Sequence, residues 1–295
     1  MTAPAPASAP YGYQQPRFAS PMPVERVGLR HAIASEWTKI RTVRSTVWTL
    51  GVMLLLVVGI NLLVLIPLSN HHDATVPVLA PGLFGLMLGQ MAILTLGVLV
   101  ITSEYGTGMI RTTFTACPQR SRVLAAKAIV FFLVSFVTTT VACTLTAVFS
   151  NAVTGGQRVD TADFDQAGVV VRDGVTAASG AEWLGATVGA GLYVALLGLL
   201  ALSVGTLLRH SAGAITAMIG VVLLPLIVAL FLPGSMESFR THLIRYSSPN
   251  ALASLYHIPM IGNADQNGVR QLVILAIVTA IALTTAFLSL TSRDV

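Results

Sequence analysis

Six stretches of this chain, each roughly 20 residues or more and nearly free of charge, decide what it can become, because a helix needs about 20 apolar residues to cross a hydrocarbon core. They fall at 46–68, 80–102, 123–149, 184–208, 212–232 and 271–291. The runs are continuously apolar rather than alternating over about ten residues, so they predict helices and not the strands of a barrel. Only 10% of the 295 residues are charged and the mean hydropathy is +0.78, against about 25% charged in soluble domains. The expectation is an all-α polytopic membrane protein of six transmembrane helices over 29–295, with no sizeable soluble domain. Between the fourth and fifth runs only "RHSA" intervenes, and Arg209 beside His210 there predicts a tight turn, not one bent helix.

Lys and Arg are retained on the cytoplasmic side of a membrane, which sets the orientation. Arg17, Arg26, Arg30, Lys39, Arg41 and Arg44 precede the first run; the 103–128 stretch carries Arg111, Arg120, Arg122 and Lys127; Arg209 and Arg293 complete that side. Arg158, Arg172, Arg240, Arg245 and Arg270 are thinly spread over the longer opposite loops. Both termini are therefore expected in the cytoplasm. Orientation and anionic lipid headgroups account for the basic balance without a nucleic acid. Residues 1–28, opening "MTAPAPASAPYGYQQP", are rich in Pro, Ala and Ser and have no apolar core, so they read as a disordered cytoplasmic tail and not a secretory signal. Cys117 and Cys143 sit in unlike environments, which argues against a disulfide.

The chain lacks much that other membrane machines need. No Asp, Glu, Lys or Arg lies centrally in a run; the polar interior side chains are Asn61, Gln90, Ser135, Thr138, Thr139, Thr140 and Ser203. Proton-coupled carriers normally bury ionisable relays, because such groups are expensive in lipid. No HExxH occurs, and the two lysines, in "WTKI" and "AAKA", follow no phosphate-cradling loop. Any energy from ATP must come from a partner. No catalytic residue, cofactor or metal is assigned to this chain.

Two polar segments have internal organisation. In "LRHAIASEWTKIRTVRS" (29–45), Leu29, Ile33, Trp37, Ile40 and Val43 recur at three- and four-residue steps, predicting an amphipathic helix along the membrane surface with Trp37 at the headgroups. It reads as a generic anchor, or as an elbow that also touches a cytoplasmic partner. "SEYGTGMIRTTFTACPQRSRVLAAKA" (103–128) has Glu104 and Tyr105 ending a span, Gly106 and Gly108 turning the chain, and Met109, Ile110, Thr113 and Phe114 on one side of a short helix. Pro118 stops that helix and Ser121 is a candidate N-cap for the next. The segment is a docking knob carrying Arg111, or a loop whose apolar side chains dip into the headgroups.

These two segments resemble the permease subunits of ATP-binding-cassette transporters of the type-2, exporter-like class. The resemblance covers the first half closely and the second mainly in its three further spans. It implies six helices, an N-terminal interfacial helix, a short cytoplasmic coupling helix, pairing of two permeases, and docking of each on a separate ATPase. On the matching positions it implies docking by Glu104, Tyr105, Gly106, Gly108, Arg111, Thr112, Thr113 and Phe114, supported by Trp37, Lys39 and Arg41. In that family the region around "PGSMESFRTHLIRYSSPNALASLYHIPMIGN" dips into the membrane and caps the outer end of the pathway, which implies a plug of Leu252, Leu255, Tyr256 and Ile258. A helix lying on the outer surface is the alternative there.

The long outer loop 151–183 departs from the family's compact loops; its acidic "DTADFD" lacks the glycine of an EF-hand. "HHD" at 71–73 offers too few ligands for a closed metal site. Gly85 with Gly89 and Gly185 with Gly189 have GxxxG spacing, which permits close helix contact and marks a candidate dimer seam.

The expected function is a permease subunit, paired with a second and identical copy and with two copies of a cytoplasmic ABC ATPase that holds ATP and Mg. It sits in a bacterial cell membrane, in contact with lipids, and exports an amphipathic or lipid-like molecule past Asn61, Gln90, Ser135, Thr138 and Thr139. The rivals are an ATP-independent channel or carrier, and a membrane scaffold or immunity protein that moves nothing.

Overall fold

A computed structural model of the chain describes residues 28–69, 77–117, 119–157, 171–172, 175–258 and 268–292. The HHD triplet, Pro118 and the aspartates at 160, 163, 165 and 173 lie outside them, as do residues 1–27 of the predicted tail.

In chain order the elements are α1 (Leu29–Thr42), α2 (Arg44–Leu68), α3 (Pro81–Gly106), α4 (Met109–Ala116), α5 (Arg120–Thr154), the short antiparallel pair β1 (Val171–Arg172) and β2 (Val175–Thr176), α6 (Gly180–Leu184), α7 (Ala190–Leu208), α8 (Ser211–Phe231), α9 (Glu237–Arg245), α10 (Ser248–Leu255) and α11 (Val269–Ser292). A single wide π turn, Gly185–Gly189, joins α6 to α7. Six helices are long and apolar enough to span a bilayer: α2, α3, α5, α6 with α7, α8 and α11. The chain is an all-α polytopic membrane protein. α3 and α7 form the centre, with 56% and 67% of their most apolar stretches buried; α2, α8 and α11 form the rim, at 22%, 22% and 11%.

The spans outrun the apolar runs at their polar ends. α5 starts at Arg120 with Gln119, not Ser121, as its N-cap, so Arg120 and Arg122 join Lys127 inside the helix. Its far end reaches Thr154 because that hydroxyl bonds the Val78 carbonyl at 3.0 Å, while the Thr176 hydroxyl of β2 bonds the Thr154 carbonyl at 2.8 Å. The fourth and fifth runs are separate helices: Arg209 adopts φ 53 and His210 caps α8 by accepting the Gly213 N–H.

Gly85 and Gly89 pack inside the chain's own bundle rather than marking an exposed seam. A Cβ at Gly85 would overlap the Val57 carbonyl of α2, and one at Gly89 would overlap the Val57 side chain. Gly185 meets the Leu255 carbonyl in the same way, so the second pair seats α10.

α9 and α10 make a hairpin that enters the bundle from the end opposite α4. All eight residues of α10 are buried. At its N-terminus the Ser248 hydroxyl bonds Gln90 Oε1 at 2.8 Å, nine residues into α3, or about 14 Å at 1.5 Å per residue. At its other end the Tyr256 ring lies beside Gly82, at the start of α3.

Candidate functional site

The end of the bundle that carries α1, α4 and the α7–α8 turn holds most of the cationic side chains among the described residues, and four charged groups there form one knot. Glu36 of α1 accepts from Lys39 at 2.8 Å and from Lys127 of α5 at 2.8 Å. Glu104, in the last turn of α3, accepts on the same oxygen from Lys39 at 3.0 Å and from Lys127 at 2.6 Å. The Lys127 side chain is only 1% exposed and both carboxylates only 7%. A charge so deeply placed survives only when paired; here two ammonium groups face two carboxylates and the sum is zero. The remaining oxygen of Glu104, Oε2, is buried without a hydrogen-bond partner. Burial works to lower the Lys39 pKa, but the hydrogen bonds and charges of Glu36 and then Glu104 outweigh it and hold the ammonium above its ordinary value.

Around the knot the basic end is laced together by arginines. The Arg209 guanidinium lies over the Tyr105 ring at 5.3 Å, joining the α7–α8 turn to the last turn of α3. Arg120 lies over the Phe114 ring of α4 at 5.4 Å and donates to the Leu290 carbonyl of α11 at 3.4 Å. Such cation–π contacts contribute about 0.5–1 kcal/mol where solvent reaches them.

The residues singled out for docking therefore divide. Met109, Arg111 and Thr112 are exposed on α4, as is Gly106 before it. Gly108 caps α4 with φ 74, a conformation that disfavours any side chain. Thr113 and Phe114 are half-buried, Ile110 is buried, and Tyr105 is half-buried under Arg209. Glu104 is not at the surface; it belongs to the knot that fastens α3 to its neighbours. On α1 the side turned to the protein is that of Glu36, so Trp37 at 48% exposure and Arg41 face outward while Lys39 reaches into the knot. Between α1 and α4 opens a cavity of about 330 Å³ lined by His31, Ser35, Glu36, Lys39, Met109 and Thr112 among others.

Sequence reasoning missed Glu36, Lys127, Arg120 and Arg209. A signal for one of them was present: Lys127 is one of only two lysines against fifteen arginines, and it lies in an apolar helical pattern where a solvated cation gains nothing.

The five polar residues proposed for a pathway do not converge. Asn61 accepts the Ser150 hydroxyl at 3.0 Å, tying α2 to α5, and Gln90 holds α10 through Ser248. Ser135 and Thr139, one turn apart on α5, are fully buried with their hydroxyls unpartnered. Thr138 points elsewhere and donates to the Val134 carbonyl at 2.7 Å. Leu252, Leu255 and Tyr256 are buried and Ile258 half-buried; all four sit within the protomer's own packing at the α10 end.

Among the described residues no three His, Cys, Asp or Glu side chains cluster for a metal ion. No protein-family model matches the chain, and no curated protein matches it significantly.

Proposed function

We propose that this chain is the membrane-spanning permease subunit of an ATP-binding-cassette transporter, moving an amphipathic or lipid-like molecule outward on energy from a separate ATPase. The observation that carries the reading is mechanical. α4 presents Met109, Arg111 and Thr112 outward, and it is carried on the last turn of α3, whose Glu104 is locked to α1 and α5 by the ionic knot. Force applied to α4 is thus delivered to two spans at once, as a rigid coupling element requires. The cavity between α1 and α4 gives a partner's side chain a place to seat.

On this reading the basic end and both termini face the cytoplasm of a bacterial cell, as the distribution of Lys and Arg favours. Two permease copies pair, each bearing one ATPase that holds ATP and Mg, and the ATPase's nucleotide state biases an inward and an outward form of the spans. The test is purification of the tagged chain from its native membrane with measurement of ATP hydrolysis in the eluate. Hydrolysis that is present with wild type and lost with Arg111→Glu and Met109→Asp, at unchanged expression and thermal stability, supports the reading. An eluate without ATPase activity, or activity indifferent to both substitutions, removes it.

A further inference from the structure

A second cavity, of about 150 Å³, opens between α7, α8, α10 and α11, away from the basic end. α8 and α11 both pack on α7 but scarcely on each other, so the gap between them opens laterally, toward hydrocarbon. Its lining is graded along the helix axes. Tyr193 of α7, Ser248 of α10 and Gln271 of α11 are polar side chains of the lining, and on α7 and α11 they precede the aliphatic ones. Leu197 and Leu200 lie four and seven residues further along α7; Ile274 and Val278 lie three and seven residues further along α11. Both helices run the same way and the Thr279 hydroxyl meets the Leu196 carbonyl at 3.3 Å, so the aliphatic lining extends about 10 Å beyond Tyr193 on α7 and about 10 Å beyond Gln271 on α11 at 1.5 Å per residue. No lining side chain is charged.

One group in this slot is unsatisfied. Gln271 is 6% exposed and its Oε1 is buried with no hydrogen-bond partner. A buried amide oxygen left unpaired costs about 1–3 kcal/mol, which a donor arriving in the slot would recover. We infer that the slot binds an uncharged acyl amphiphile whose hydroxyl-bearing headgroup lies against Gln271, Ser248 and Tyr193 and whose chain descends between Leu200 and Val278. The absence of charge in the lining selects against an ionic headgroup, and the lateral opening suits a molecule arriving from the leaflet. The upper chain fills the cavity, and the rest lies along Val278 and Ile281, which are 44% and 62% exposed. This site stands whether or not the chain is a transporter.

The test uses the purified full chain in detergent with a monoacylglycerol that carries a diazirine in its acyl chain, and the matching fatty-acid methyl ester, which lacks a donor hydroxyl. Photolabel is mapped by peptide mass spectrometry. The monoacylglycerol is expected to label the peptides holding Leu197–Leu200 and Ile274–Val278 about fivefold more than the ester does, the size of one net hydrogen bond. Gln271→Leu abolishes that preference, and Val278→Trp, at an exposed rim position, lowers labelling by about tenfold with an unchanged unfolding midpoint. Label spread evenly over the exposed faces of α2, α8 and α11, equal labelling of wild type by the two probes, or indifference to Val278→Trp in folded protein overturns the assignment.

Discussion

The Lys127 ammonium lies 2.6 Å from Glu104 Oε1, joining the first part of α5 to the last turn of α3. Each residue also reaches α1, Lys127 through Glu36 and Glu104 through Lys39. The amphipathic α1, which its pattern alone would leave sliding on a membrane surface, is thereby fixed to two spans, α3 and α5, at one point.

Because the Lys127 side chain is 1% exposed, removing it leaves two buried carboxylates sharing the single ammonium of Lys39. Lys127→Met is expected to destabilise the protein by about 3–5 kcal/mol, the range for breaking a buried pair from one side. Adding Glu104→Gln to Lys127→Met should recover part of that loss, because fewer unpaired charges remain. A thermal-unfolding double-mutant cycle in detergent checks both statements; additive losses would show that the pair is not coupled.

Lys39 gives the knot a pH signature. Its folded-state pKa is raised above the ordinary 10.5, so its contribution is fully present below that unfolded-state value and is lost as pH rises through the folded one. Unfolding midpoints of wild type should therefore fall relative to Lys39→Met as pH rises above 10.5, and the two proteins should run parallel around neutral pH. A difference that persists unchanged as pH rises above 10.5 would contradict the pairing.

Close approach of α2 and α3 depends on Gly85, where a Cβ would overlap the Val57 carbonyl. Gly85→Ala should cost about 1–3 kcal/mol, the usual range for overpacking. Gly59→Ala, on the neighbouring helix with nothing within 4 Å of the added carbon, should be neutral or slightly stabilising through helix propensity. Equal effects in a melting comparison would show that α2 and α3 do not pack at this crossing.

Much of this architecture could be read in advance because lipid imposes a strong pattern. Helices that must be apolar over about 20 residues announce themselves, and α2, α3, α7, α8 and α11 fall close to the runs at 46–68, 80–102, 184–208, 212–232 and 271–291. The short α4 was legible for a different reason: Gly106 and Gly108 precede an apolar face at Met109, Ile110, Thr113 and Phe114. The knot was not legible, since Glu36 and Lys127 are 91 residues apart and Lys127 sits where the cytoplasmic segment 103–128 overlaps the start of the third apolar run. Tertiary pairing between sites so distant leaves no local periodicity. Gln90 and Gln271 illustrate the same limit: each is one polar residue in an apolar run, and only the placement of α10 shows that Gln90 is satisfied by Ser248 while Gln271 Oε1 is not.

The proposed function requires that a nucleotide-driven partner act through α4. The most direct measurement reconstitutes the chain in vesicles, with and without the ATPase purified alongside it, and follows outward movement of a fluorescent acyl amphiphile. Movement that requires ATP and the partner, and that falls at least about tenfold with Arg111→Glu while the unfolding midpoint is unchanged, is the expected result, a loss of roughly 1.4 kcal/mol of coupling. Full movement by the chain alone without nucleotide would contradict it.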